Sequence, residues 1–315
     1  MEHDRPPGEA IVFPGMGPAR FADVARFMMI NPAARRLVAV ADETLGYSLV
    51  DRYRDTDGDY SEYAQVAFLV NCLALAEWAA ESHNVVPALV ASASFGGKAA
   101  AAYAGAVTAS DAIAMTARIA RCEEEYFARE HRDVVTLSFA RTPTERLDEV
   151  LAELAADGGW HDVACYIDDD FHMVSLRRER LDWFSDRLRA AGGLPLYVTE
   201  PPMHSAAFGP LRDLVEREVF PDVRFVDPQV PVVADQDGTI RHSGEGVRRM
   251  LLDGLVSPVR WPEVVATMRR NGIGRVFVAG PDHLFGRVGC TTRNFDVVTA
   301  NPRLALTPRR RQVPA

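Results

Sequence analysis

A chain of 315 residues, 48% of them hydrophobic, has enough apolar material for one large core with a smaller domain beside it. Its formal charge of −9 lacks the basic excess of a nucleic-acid-binding protein. Residues 1–10 are polar and proline-containing, without the apolar centre of a signal peptide, and no later run reads as a bilayer span, so no membrane partner is expected.

In chain order, residues 11–13 read as a strand running into the loop Pro14-Gly15-Met16-Gly17. Residues 63–82 are apolar and alanine-rich without breakers, which predicts a buried helix. A buried strand over 85–91 is followed by a helix over 96–104 closed by Gly105, then a long helix over 111–129 capped by Ser110 or Asp111. From about Asp133 the pattern becomes strand 134–139, helix 143–156, strands 162–166 and 172–176, helix 179–191 and strand 196–199. That order is the split βαβ, ferredoxin-like arrangement, set inside a larger α/β domain. Helix 206–219, strand 230–234, helices 244–255 and 262–270, strand 275–279 and a polar tail complete the chain. The expected domains are therefore 1–132 with 203–315, and 133–202. Cys72, Cys122, Cys165 and Cys290 are scattered and read as free thiols in a reducing cytoplasm.

Chemistry concentrates at Ala91-Ser92-Ala93-Ser94-Phe95-Gly96-Gly97, between a buried strand and a helix. A serine at such a turn is held in a sharp bend, with the following N–H groups and a helix N-terminus facing it. A serine hydroxyl needs a base, and His204, just before a helix at the exit of the small domain, is the best placed of 8 histidines. His3 is terminal; His83, His131, His161, His242 and His283 fall in polar turns and read as surface residues. His172 follows Asp168-Asp169-Asp170, but no ligand spacing supports a metal, and none is expected. Gly15-Met16-Gly17-Pro18 lacks the third glycine of a dinucleotide loop. The arginines at 309–311 read as a solvated end.

Several segments, in order, resemble the malonyl-CoA:acyl-carrier-protein transacylase family, which includes the acyltransferase domains of polyketide synthases. Phe13-Pro14-Gly15-Met16-Gly17 resembles its FPGQG, Tyr63-Ala64-Gln65-Val66-Ala67 its TQPA, and Ser92-Ala93-Ser94-Phe95-Gly96-Gly97 its GHSLGE. Residues 99–108 resemble AAYxAGxLS, Met203-His204-Ser205 resembles FHS, Ser257-Pro258-Val259-Arg260-Trp261 resembles the late PVRW, and Gly280-Pro281 the EIGP. The resemblance spans nearly the whole chain. It implies an α/β-hydrolase-like large domain with a parallel sheet and an inserted ferredoxin-like α+β domain. It also implies a ping-pong reaction with Ser94 as nucleophile, His204 as base, and the backbone N–H groups of Met16 and Phe95 as oxyanion hole. A backbone carbonyl near Gly254 would orient the histidine. Gln65, Ala93, Ile119 and Met203 would fall at the acyl pocket. No cofactor would be bound; the acyl group would arrive on coenzyme A or on the phosphopantetheine arm of an acyl carrier protein, with carrier proteins as donor and acceptor. Because carriers are acidic near that arm, Arg146, Arg287 and Arg293 are expected to meet them.

Departures from the family pattern narrow the substrate. Malonyl-loading members grip the free carboxylate with an arginine whose equivalent here is Ile119, flanked by Arg118 and Arg121, which helical rotation points elsewhere. Ala93 replaces a histidine, Gly97 a glutamate, and 167–171 the Asn-Pro-Gln stretch, which together suggest a roomier, less polar pocket. The sequence therefore reads as a stand-alone acyltransferase for a non-malonyl group in polyketide biosynthesis. It is similar to the macrolactam-pathway enzymes that pass aminoacyl or dipeptidyl groups between carrier proteins. The alternatives are an acyl-carrier-protein hydrolase, a malonyl transacylase, and a non-catalytic carrier-binding scaffold.

Overall fold

The computed structural model describes residues 7–18, 20–56, 58–282 and 284–307, so His3, His283 and the arginines at 309–311 lie outside the described residues. In chain order its strands are β1 (Gly8–Phe13), β2 (Leu89–Ser92), β3 (Val134–Ala140), β4 (His161–Asp168), β5 (Phe171–Arg177), β6 (Leu194–Thr199), β7 (Val232–Val233), β8 (Ile240–Arg241), β9 (Val259–Arg260), β10 (Ile273–Ala279) and β11 (Asp296–Ala300). They form two sheets, ordered β11-β10-β1-β2-β7-β8 and β6-β3-β5-β4-β9.

The first sheet is parallel from β11 to β7, with β8 antiparallel at its edge. Side chains alternate across a strand, so β1 sends Ile11 and Phe13 into one core and Ala10 and Val12 into another. Both faces are buried, which is why these strands read as continuous apolar runs. The helix Glu62–His83 lies in the first core and is buried around most of its circumference. By length and composition it could cross a membrane, contrary to the reading that no run could, but 78% of its apolar window is buried inside the protein. Ser61 caps its start and Asn84, at φ 53°, ends it.

Between β2 and β7 the chain makes the long helix Ala109–Glu130 and then the second sheet. The helix cap is Thr108, whose Oγ1 accepts from Asp111 N at 3.0 Å, rather than Ser110 or Asp111. Strands β6, β3, β5 and β4 pair antiparallel, and helices Thr144–Ala156 and Leu181–Ala190 bury Leu147, Phe184 and Leu188 against Val135, Leu137 and Phe139. This is a ferredoxin-like α+β unit inserted in an α/β domain. One strand of its sheet is contributed from outside: β9, far along the chain, pairs parallel with β4 through Cys165↔Val259.

Several expectations are corrected. Residues 85–88 lie outside β2, which starts at Leu89. Helices Phe21–Ile30, Pro32–Leu45 and Leu49–Arg54 fill a stretch the sequence reading left without elements. The polar tail contains a helix, Gly289–Thr292, and the edge strand β11. His131 is not a bare surface residue, since its ring packs against Tyr126, Phe127 and Phe208.

Candidate active site

Strand β2 delivers the chain to a sharp turn. Ala93 N bonds to the Phe13 carbonyl at 3.0 Å and Gly96 N to the Ala93 carbonyl at 2.9 Å. Ser94 between them is forced to φ 51°, in the left-handed region that costs an ordinary side chain energy. A side chain at position 96 would collide with the Phe13 carbonyl, so only glycine lets the helix Gly96–Tyr103 start this close to β1. The same turn explains one correction. Period-two alternation puts Ala93 on the face of Leu89 and Ala91, fully buried in the second core, so the small residue there frees no space in the pocket.

Ser94 Oγ lies 2.7 Å from His204 Nε2, and His204 Nδ1 lies 2.6 Å from the Gly254 carbonyl. A carbonyl can only accept, so Nδ1 carries the proton and Nε2 is left with a lone pair facing the serine hydroxyl. Burial lowers the imidazole to about 4, against the opposing pull of the Gly254 and Ser257 backbone, so the ring is neutral at pH 7. Neither the Met16 nor the Phe95 backbone N–H donates within the described residues, and both residues line the cavity beside Ser94.

That cavity, about 380 Å³, opens between the two sheets. Gln65, Ile119 and Met203 line it together with Met115, Leu196 and Phe285. Ile119 is 3% exposed. Arg118 turns outward to Asp222, at 2.6 Å, and to the Glu218 carbonyl, and Arg121 pairs with Glu62 at 2.7 Å. Among the described residues no arginine lines the cavity. Gly97 does, but a side chain there would meet Leu251 at 3.3 Å, so leucine occupies the room that glycine leaves. Of the stretch 167–171 only Phe171 reaches the cavity wall. Ile167 is core, and Asp168 ties the β4–β5 turn to Cys290 N at 2.7 Å and Arg293 at 2.9 Å.

Arg146, Arg287 and Arg293 all stand off the cavity wall; Arg146 pairs with Glu149 and Arg293 with Asp168. Four charged wall residues escaped the sequence reading, Lys98, Glu123, Asp235 and Asp282. Glu123 carried a usable signal, since it lies one helical turn beyond Ile119 on the same face. The Asp235 carboxylate accepts from Ser94 N and braces the strained turn, and Asp282 accepts from the N–H groups of Leu284, Phe285 and Gly286.

Burial raises the Asp235 carboxyl from 3.8 to about 7. A carboxyl with a raised folded value contributes stability that is complete below its unfolded value and is lost as pH rises through about 7. Asp235→Asn cannot ionise and should therefore gain stability relative to the parent between pH 4 and 8, by about 4 kcal/mol at most. Urea unfolding at stepped pH checks this, and a parent–variant difference that stays flat across the window would contradict it.

Comparison with known proteins finds relatives over most of the chain. A family model described as the VinK acyltransferase small domain matches residues 138–199. The malonyl CoA-acyl carrier protein transacylase of Escherichia coli K12 is 26% identical over 302 residues, covering 93% of this chain and 94% of that protein. That of Bacillus subtilis 168 is 25% identical over 281 residues, covering 87% and 85%. A solved type II PKS malonyl-transacylase, in complex with its acyl-carrier protein, superposes with a TM-score of 0.83 at 25% identity, covering 95% of this chain and 97% of that one. The chain is an acyltransferase with the malonyl-CoA:acyl-carrier-protein transacylase fold. In this acyltransferase the inserted unit is the part that the small-domain model recognises, and Ser94 and His204 face each other beneath it.

Proposed function

We propose that the acyltransferase carries a non-malonyl acyl group from one thioester to an acyl carrier protein through an ester on Ser94. The single observation that carries the reading is the wall beside Ser94, where Ile119 stands in place of a carboxylate-gripping arginine and both neighbouring arginines point away. A malonyl carboxylate placed against Ile119 would lose water without gaining a bidentate partner.

Ser94 Oγ attacks the thioester carbonyl carbon as its proton passes to His204 Nε2. The Gly254 carbonyl holds the resulting imidazolium through Nδ1–H. The N–H groups of Met16 and Phe95 are free to receive the oxyanion. Collapse of the tetrahedral intermediate breaks the C–S bond, and the leaving thiolate takes the proton back from His204. In the second half the phosphopantetheine thiol of a carrier protein gives its proton to His204, attacks the acyl-serine carbonyl and restores the Ser94 hydroxyl. The donor would enter between the part formed by 1–132 with 203–315 and the part formed by 133–202. Arg146, Arg287 and Arg293 remain our docking candidates, Arg287 being the one without an acidic partner among the described residues.

The finer reading is an aminoacyl or dipeptidyl group moved between two carrier proteins, as in the macrolactam-pathway enzymes the sequence resembles. Malonyl transfer is the second reading, favoured by the names of the curated relatives. Intact-protein mass spectrometry after incubation with matched acyl-carrier and acyl-coenzyme A donors separates them. A stable non-malonyl adduct on Ser94, discharged by added carrier protein, is the expected result. Malonyl as the best donor overturns it, and an adduct lost equally fast to water alone makes the chain a hydrolase.

A further inference from the structure

Three polar side chains meet on the wall of the Ser94 cavity without a part in the acyl-transfer steps. Lys98 comes from helix Gly96–Tyr103, Gln65 from Glu62–His83 and Glu123 from Ala109–Glu130. Gln65 Nε2 donates to Glu123 Oε2 at 3.0 Å and to the Tyr60 carbonyl at 3.1 Å, and Gln65 Oε1 accepts from Lys98 Nζ at 3.4 Å. Both N–H donors of the glutamine are thus engaged, and its position is fixed. It sits between the two charges, which make no direct ion pair.

Both charged groups keep unused capacity. Lys98 has three N–H donors and gives one to Gln65, with its ammonium 4.3 Å from the centre of the Phe95 ring. Glu123 is 3% exposed, and only its Oε2 receives a hydrogen bond. Charged groups withdrawn from water need partners, so an occupant of this cavity is selected by what it offers them. A hydrocarbon chain offers neither a donor nor an acceptor. A carboxylate suits Lys98 but is repelled by Glu123, and an ammonium suits Glu123 but is repelled by Lys98. A neutral group with an N–H at one end and a carbonyl at the other satisfies both.

Resting on the non-malonyl reading above, we infer that Lys98, Gln65 and Glu123 form a subsite for an amide within the acyl chain, its N–H donated to Glu123 and its carbonyl accepting from Lys98. Gln65, bonded to both, fixes where the two charges stand.

The test uses pantetheine thioesters of one length carrying an amide, an ester or a methylene link, with the link moved along the chain, beside malonyl-pantetheine. The readout is kcat/KM for Ser94 acylation, followed by rapid quench and mass spectrometry. At one link position the parent should prefer the amide over the ester and the methylene compound by about 10-fold or more, as expected when a site's polar groups go unpaired. Glu123→Gln should shrink the amide-to-ester ratio, and Lys98→Met, which keeps the apolar stem over Phe95, the amide-to-methylene ratio. Either variant suffices if the other fails to fold. Equal rates for all three links at every position, or ratios unchanged in the folded variants, overturn the amide subsite while malonyl remains a poor donor. A parent that prefers malonyl to all of them overturns the non-malonyl reading as well.

Discussion

Ser94→Ala should eliminate the covalent acyl adduct, and His204→Ala should slow its formation by about 10⁴-fold or more, the scale on which serine and histidine act as one unit. The pH profile should identify the base. Burial holds the His204 ring at about 4, so acylation should stay level down through pH 6 and 5 and fall only as Nε2 takes up a proton near pH 4. An ordinary histidine would already be half charged near pH 6.5. Persistence of a Ser94-independent adduct at the parental rate would remove Ser94 from the chemistry. An acid limb near 6.5 that survives in Asp235→Asn would contradict the buried, neutral imidazole.

Ile119→Arg should move the enzyme towards malonyl donors, raising malonyl transfer relative to the native acyl group by about 10- to 100-fold if the guanidinium grips the carboxylate bidentately. Glu123 complicates the experiment, because it lies one turn further along the same face and would compete for the new cation. The double variant Ile119→Arg with Glu123→Gln should therefore gain more than the single one. Competition between malonyl and longer donors for limiting enzyme gives the ratio directly. A single variant that gains as much as the double would mean that Glu123 does not reach position 119.

The turn around Ser94 was legible because it needs residues that few other places need: a serine between small neighbours and a glycine where the helix start grazes β1. The small unit was legible from its alternation of strand and helix patterns. The early helices could have been read as well, since Asn31-Pro32 opens one and Gly46, at φ 74°, closes it. Strand β11 was obscured by its position at the sheet edge, where only Ala300 is fully buried and the alternation is faint. Lys98, Gln65 and Glu123 could not be grouped from sequence, because they come from separate helices and become neighbours only when those helices pack. Ala93 was assigned to the pocket because it replaces the family's histidine beside the nucleophile, whereas the phase of β2 decides which way it points.

The two residues of β9 also tie the inserted unit to the supports of the site. The carbonyl that aligns His204 belongs to Gly254, and five residues later Val259 is stitched to β4, with Arg260 lying 4.7 Å from the centre of the Tyr166 ring. Arg260 N also bonds to the carbonyl of Asp235, whose side chain braces Ser94. A hinge that swung the inserted unit away would drag on the supports of base and nucleophile at once. The inserted unit is thus anchored to the large domain at the same short segment that supports both base and nucleophile.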